Sequence, residues 1–258
     1  MNICLFSPEE INKPLSVKDE RGEHLVKILH KKAGDTFTAG IIGGKSGVAT
    51  ITEITDKICF SFEPKGDGKP LTPLKLIVGF PRPIQLKRLL RDVAALGVCE
   101  VHLTGTELGE KSYMKSTLVE KGSAYKMLLD GTVQAGGTHV PDLYLHENLR
   151  ECIEWLEDHA CKEHSHHILR LALDNINPKC SLSEALTDLP CMVCEKPCSE
   201  GKRVFAAIGS ERGWTDRERT LLEENGYIRC GMGQRIMRTE TAATVAGAVI
   251  LEKLGYLK

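Results

Sequence analysis

The sequence has almost no surplus of charge of either sign: 34 lysines and arginines stand against 35 aspartates and glutamates, a formal net charge of −1 over 258 residues. A chain so balanced has no bulk attraction to polyanions, and any nucleic-acid binding has to come from local basic patches. Long hydrophobic runs are also missing. No stretch approaches the ~18 consecutive apolar residues that a membrane-spanning helix needs. The opening MNICLFSPEEINKP lacks a basic segment followed by an apolar core, which argues against export and predicts a cytoplasmic protein. In that compartment the 10 cysteines read as reduced thiols and not as a disulfide framework. Internal repeats are absent too. Disorder is not expected, because 41% hydrophobic against 27% charged residues is enough to bury a core.

The length exceeds the ~100–200 residues of one ordinary domain, so two domains are expected. Residues 1–64 carry short β-type runs, Thr36–Ile42 and Gly47–Ile54, with one helical stretch over Asp19–His30. The Pro-, Gly- and Lys-rich stretch from Pro64 to Pro73 reads as a linker. A small β-rich domain over 1–70 is therefore followed by a larger one over 71–258. In the second part apolar strands alternate with helices: Leu74–Phe80, helix Ile84–Gly97, Glu100–Thr104, helix Lys115–Gln134, Leu143–His146, helix Leu149–His159. The pattern continues through His167–Asp174, Arg203–Ile208, helix Asp216–Asn225, Tyr227–Cys230 and helix Thr239–Gly255. Parallel strands need helical crossovers, so this rhythm predicts an α/β domain with a mostly parallel sheet.

Two segments stand out chemically. In the first, Ala206-Ala207-Ile208 runs into Gly209-Ser210-Glu211-Arg212-Gly213, then a helix with Thr215 as N-cap and Glu218 completing a capping box. Open α/β sheets bind ligands at such strand ends, and glycine lets backbone amides approach a ligand closely. The second runs Gly231-Met232-Gly233-Gln234-Arg235-Ile236-Met237-Arg238-Thr239-Glu240-Thr241-Ala242-Ala243. Thr239 or Thr241 could cap the helix that follows. A cap leaves Arg235 and Arg238 unexplained, because cations are disfavoured at the positive end of a helix dipole. The small residues Ala242, Ala243, Ala246, Gly247 and Ala248 suit packing against the sheet and against a second chain.

These residues resemble the RsmE family of 16S ribosomal RNA uracil-N3 methyltransferases, in the SPOUT superfamily. The likeness rests on IGSERG at Ile208–Gly213 and MGQRIMRTETA at Met232–Ala242. His24-Leu25-Val26-Lys27-Ile28-Leu29 with Gly34-Asp35, Leu96-Gly97-Val98, and Gln134 with Val140-Pro141 extend it over nearly the whole chain. The resemblance implies an N-terminal PUA-like β-barrel that binds RNA and a C-terminal α/β domain with a deep trefoil knot holding S-adenosylmethionine. It also implies a homodimer through the C-terminal domain, with 16S ribosomal RNA or the small ribosomal subunit as partner. The chain departs from the family pattern at His30, Ala95, Gly137 and Ser210-Glu211-Arg212. These departures leave open a SPOUT enzyme acting on another nucleotide, or a non-catalytic ribosomal RNA-binding factor.

On this reading the cofactor is held by Gly209, Glu211, Gly213, Met232, Gly233, Ile236, Met237, Arg238, Thr239 and Thr241. Methylation at uracil N3 requires loss of a ring proton, so Glu211 and Glu240 are candidate acceptors, with Arg238 holding a base oxygen or a phosphate. RNA is expected at His24, Lys27, Lys31 and Lys32 of the first domain, and at Arg82, Arg88 and Arg235 of the second, with Lys87 and Arg91 nearby. The reaction needs no metal, and none is expected. Cys180, Cys191, Cys194 and Cys198, with His159, Cys161, His164, His166 and His167 close in sequence, could share a zinc ion. However, the paired CxxC motifs of a zinc ribbon are missing.

Overall fold

The structure, a computed structural model, describes residues 2–115, 122–162, 168–187 and 203–257. The chain divides into two units: Met1–Pro70 with Leu129–Val140, and Leu71–Leu128 with Pro141–Lys258.

In the first unit β1 (Cys4–Phe6), β2 (Leu15–Ser16), β3 (Thr36–Ile41), β4 (Lys45–Ile54) and β5 (Lys57–Asp67) form one sheet in the order β1-β3-β4-β5-β2. β1 and β3 are parallel and the other pairs antiparallel. Alternation along β4 turns Gly47, Ala49 and Ile51 inward, where Ile51 joins Phe6, Leu25, Phe37 and Ile58 in the core. Register shifts at Ser46/Gly47 and Ile51/Glu53 bend the β4–β5 pair and curl the sheet. Residues 129–140 belong here through specific hydrogen bonds. Thr138 donates its hydroxyl to the Gly44 carbonyl (2.8 Å), and its own carbonyl accepts from Gly43 N–H (2.8 Å).

Two expectations for this unit need correction. The helix expected over Asp19–His30 is a single α-turn, Glu20–Glu23, that widens into a π-helical turn, His24–Ile28, and ends at His30 with φ 52°. The expected linker is shorter than Pro64–Pro73, because β5 runs on to Asp67, where it pairs with Lys45. Pro64 is tolerated there for a reason of position. β2 covers β5 only at Ile58 and Lys57, so among the described residues no strand asks for the missing N–H of Pro64 on that side.

The second unit is a seven-stranded, wholly parallel sheet in the order β10-β12-β9-β11-β6-β7-β8. Its strands are β6 (Thr72–Gly79), β7 (Val98–Thr104), β8 (Asp142–His146), β9 (Ile168–Leu173), β10 (Cys180–Ser181), β11 (Arg203–Ile208) and β12 (Ile228–Gly231). β6 is buried along its whole length and, Thr72 and Lys75 apart, is apolar, as a central parallel strand is. Helix Pro83–Leu96 starts with proline in its first turn and stops at Gly97, φ 75°. Its buried Leu86, Leu89, Leu90 and Val93 recur at helical spacing, each leucine contributing ~1.5–3 kcal/mol on burial. Helix Leu149–Lys162 and helix Asp216–Glu224 add Leu156 and Leu222 to a core that includes Ile77, Phe205 and Trp214. After β12 the chain does not stay at that side of the sheet. Helix Thr239–Lys253 returns to the middle, where a Cβ on Gly247 would stand 3.1 Å from Leu96 and 3.8 Å from Leu74. Among the described residues no helix is long and apolar enough to cross a membrane.

The expected capping box is present. Thr215 accepts from Glu218 N–H (3.2 Å), Glu218 accepts from Thr215 N–H (2.9 Å), and the Thr215 hydroxyl also donates to Glu107 (2.7 Å). Thr215→Ala is expected to lower stability by about 1 kcal/mol in chemical denaturation. A loss under a few tenths of that would mean the cap does not set the helix start.

Candidate active site

The C-terminal ends of β9 and β11 open into one small cavity of about 80 Å³. Its walls come from four places: Leu173, Asp174 and Asn175 after β9; Ile208 to Glu211 with Gly213 and Trp214 after β11; Met232, Ile236 and Met237 after β12; and Thr239 and Ala242 at the start of the last helix. Of the expected cofactor residues, Gly209, Glu211, Gly213, Met232, Ile236, Met237 and Thr239 line this cavity. Gly233, Arg238 and Thr241 are not among its lining residues; Gly233 sits in a turn at φ 98°, and Arg238 and Thr241 are exposed.

The turn after β11 is shaped by backbone. Gly213 N–H donates to the Ser210 carbonyl (2.9 Å), and Gly213 takes φ 74°. A Cβ at Gly209 would lie 3.0 Å from the Gly213 carbonyl carbon. From the other side, a Cβ on Gly79 at the end of β6 would come within 2.5 Å of the Ser210 nitrogen and 2.8 Å of Thr106. Glycine at Gly79 lets the strand end and the turn touch.

Neither Thr239 nor Thr241 caps the last helix. The N-cap is Arg238, with extended backbone and no capping side-chain bond. Thr239 instead donates its hydroxyl to the Gly209 carbonyl (3.2 Å), a buried bond that ties the two glycine-rich segments together. Glu240 is buried in the first turn, and its Oε2 has no hydrogen-bond partner among the described residues. Glu211 is paired with Arg82 (3.2 Å), so two residues expected to serve different ligands meet at the cavity rim.

Sequence reasoning missed Asp174, which is 8% exposed and anchors the other wall. Its carboxylate accepts from Arg219 Nε (2.6 Å) and from Ile176 N–H (3.1 Å), with Arg229 at 3.5 Å. That hydrogen bond holds the Arg219 guanidinium above its ordinary pKa. Trp214 closes the floor, its indole N–H donating to the Leu173 carbonyl (3.2 Å). The only sequence signal for Asp174 was its place just after an apolar strand.

Among the basic candidates, Lys27 pairs with Glu23 (2.7 Å), a surface contact of little energetic weight. Lys32, Arg88 and Arg235 are exposed, and Lys31 and His24 are half-buried. Lys87 and Arg91 share the exposed face of their helix. Cys191, Cys194, Cys198, His164, His166 and His167 lie outside the described residues, as does the side chain of Cys161. Cys180 is a free, half-buried thiol.

Residues 68–251 match the model of the RNA methyltransferase domain family. The ribosomal RNA small subunit methyltransferase E of Treponema pallidum is 41% identical over 261 residues, covering 97% of this chain and 91% of that protein. The chain belongs to the ribosomal RNA small subunit methyltransferase E family. A second member of this family, methyltransferase E 1 of Borreliella burgdorferi, is 28% identical over 98% of this chain and 99% of its own length. The fold agrees with that of the Neisseria gonorrhoeae methyltransferase E bound to S-adenosyl methionine, at TM-score 0.73 and 18% identity over 98% of this chain and 97% of that one. The family segment contains every wall of the cavity described above.

Proposed function

We propose that this protein transfers the methyl group of S-adenosylmethionine to N3 of a uridine in 16S ribosomal RNA. One observation carries the reading: two glycine-rich segments of a methyltransferase-family domain are bonded into one cavity through Thr239 and Gly209. The residues fit the cofactor. The fit rests on the chemistry of the lining, a mainly apolar wall with a few polar groups, as small-molecule sites have. Leu173, Ile208, Met232, Ile236, Met237 and Ala242 offer an apolar slot for a purine, and Gly209 and Gly213 leave backbone groups open to polar edges. When bound, the cofactor supplies an electrophilic methyl group. The chain's part is to orient the uracil, exclude water and take up the N3 proton. Arg238, exposed beside the cavity segment, is assigned to a base oxygen or phosphate, and Glu211, which lines the cavity, or the buried Glu240 is assigned to accept the proton.

The first unit is read as a PUA-like β-barrel RNA-binding domain and the second as a SPOUT domain with a trefoil knot. The curled sheet favours the first assignment. The return of the last helix from β12 to the centre of the sheet favours the second. His24, Lys27, Lys31 and Lys32 on one unit and Arg82, Arg88 and Arg235 on the other are assigned to RNA phosphates. A homodimer through the C-terminal domain fits the exposed Val245, Tyr256 and Leu257, and the cytoplasm is where its ribosomal substrate resides.

The deciding experiment is mass mapping of 16S ribosomal RNA from cells with and without the gene. One methyluridine disappears if the proposal holds; an unchanged map overturns it. A narrower check uses Gly79→Ala. The added Cβ pushes on the Ser210 nitrogen, and calorimetry with S-adenosylmethionine is expected to show at least about a tenfold weaker affinity, ~1.4 kcal/mol. Unchanged affinity would remove the β11 turn from the cofactor site.

A further inference from the structure

A second cluster of reactive side chains lies at the opposite half of the sheet from the β9–β12 wall of the cavity. β7 and β8 are parallel with Glu100 opposite Asp142, His102 opposite Tyr144 and Thr104 opposite His146. Strand alternation therefore puts Glu100, His102, Tyr144 and His146 on one face. Helix Leu149–Lys162 brings Cys152 to His102 and His146, and Trp155 and His159 to the same cluster of rings. One donor atom each from His102, His146 and Cys152 lie within 4.8 Å of one another, and all three residues are buried. Their exposures are 0%, 4% and 0%.

We infer that His102 Nδ1, His146 Nε2 and the Cys152 thiolate form a structural zinc site joining this helix to β7 and β8. Tetrahedral zinc, with bonds of ~2.0–2.3 Å, sets its ligand atoms roughly 3.3–3.6 Å apart. The two imidazole nitrogens stand 3.0 Å apart and all three donor atoms lie within 4.8 Å, so the nitrogens part slightly and the thiol draws in to admit the ion. The supporting shell is in place. Glu100 accepts from His102 Nε2 (2.9 Å), which fixes the tautomer and leaves Nδ1 with its lone pair, the carboxylate–histidine–metal arrangement. Lys75, 1% exposed, pairs with the other Glu100 oxygen (2.8 Å) and holds that carboxylate in place.

The chemistry of the donor set agrees. Two imidazoles and a thiolate suit a borderline-soft ion such as zinc and not magnesium or calcium. Three protein ligands leave a fourth position for water, while the Glu151 oxygen, 4.0 Å from His146 Nδ1, stands on the ring edge away from the ligating Nε2, where a supporting carboxylate belongs.

The test uses the full chain, stripped with a chelator, dialysed against zinc chloride and analysed for bound metal. One equivalent of zinc is expected, lost in Cys152→Ala and retained when Cys191, Cys194 and Cys198 are all changed to alanine. Cobalt loading is expected to give a thiolate charge-transfer band that Cys152→Ala also abolishes. Zinc-edge X-ray absorption of the unaltered chain gives a reading that does not depend on any variant folding: two imidazole nitrogens and one sulfur are expected in the first shell. No stoichiometric zinc, zinc insensitive to Cys152, or a sulfur-dominated shell overturns the site.

Discussion

Replacing Arg238 with alanine is expected to lower methyl transfer by ~10²–10³-fold, the usual consequence of deleting one preorganised charged donor, while leaving the fold intact. The separation follows from where the residue stands. Arg238 is the N-cap residue of helix Thr239–Lys253, but its side chain makes no capping bond and is exposed. A cation at the positive end of a helix dipole costs about 0.3–1 kcal/mol, so its removal should leave the melting temperature unchanged or slightly higher. Arg238 is also absent from the cavity lining, so affinity for S-adenosylmethionine should hold. Single-turnover methylation of small-subunit RNA, run beside thermal melting and calorimetry, reads all three. Arg238→Lys keeps the charge but loses the planar, bidentate geometry and is expected to recover only part of the rate. Full activity in Arg238→Ala would take this residue out of the reaction.

The sequence makes some of this structure legible because periodicity and punctuation report local physics. Arg203–Ile208 appears with its expected bounds, and Pro83–Leu96 lies within a residue of them, because an apolar run or a 3.6-residue stripe bounded by proline and glycine leaves little choice. The Thr215–Glu218 capping box is equally local and equally readable. What failed was non-local. Pro64 looked like a linker residue because its tolerance depends on β2 being only two residues long, a property of a distant strand. Residues 129–140 join the first unit through Thr138 and the loop at Gly43 and Gly44, contacts that no window along the chain contains. In the cavity, the glycine segments announced themselves by composition, whereas Thr239 read as a cap when its hydroxyl in fact reaches Gly209, thirty positions away. Asp174 carried no motif at all. The buried His102, His146 and Cys152 were equally silent, because ligand spacing is visible in sequence only when the ligands share a loop.

Asp174→Ala is expected to produce the largest loss of stability, about 3 kcal/mol, because it removes one partner from a buried ionic cluster and leaves the charge of the other uncompensated. The Asp174 side chain is 3% exposed, and Arg219 is 11% exposed. Without the carboxylate, Arg219 keeps, among the described residues, only Asp216, which at 99% exposure gives a screened contact of little weight. Arg229 is better protected, since Glu223 (2.7 Å) and the Ile176 carbonyl (2.9 Å) remain, which places the expected loss at the lower end of the ~3–5 kcal/mol range for broken buried pairs. A change of this size should lower the melting temperature by roughly 6–12 °C. Asp174→Asn, which keeps an acceptor for Ile176 N–H while giving up the charge, should fall between the two. Because Asp174 also lines the cavity beside Leu173, whose carbonyl accepts from Trp214, the same substitution should weaken S-adenosylmethionine binding below the melting transition. A melting temperature within about 1 °C of the unaltered protein would mean that water replaces the carboxylate at little cost, and that Arg219 does not hold this wall of the site.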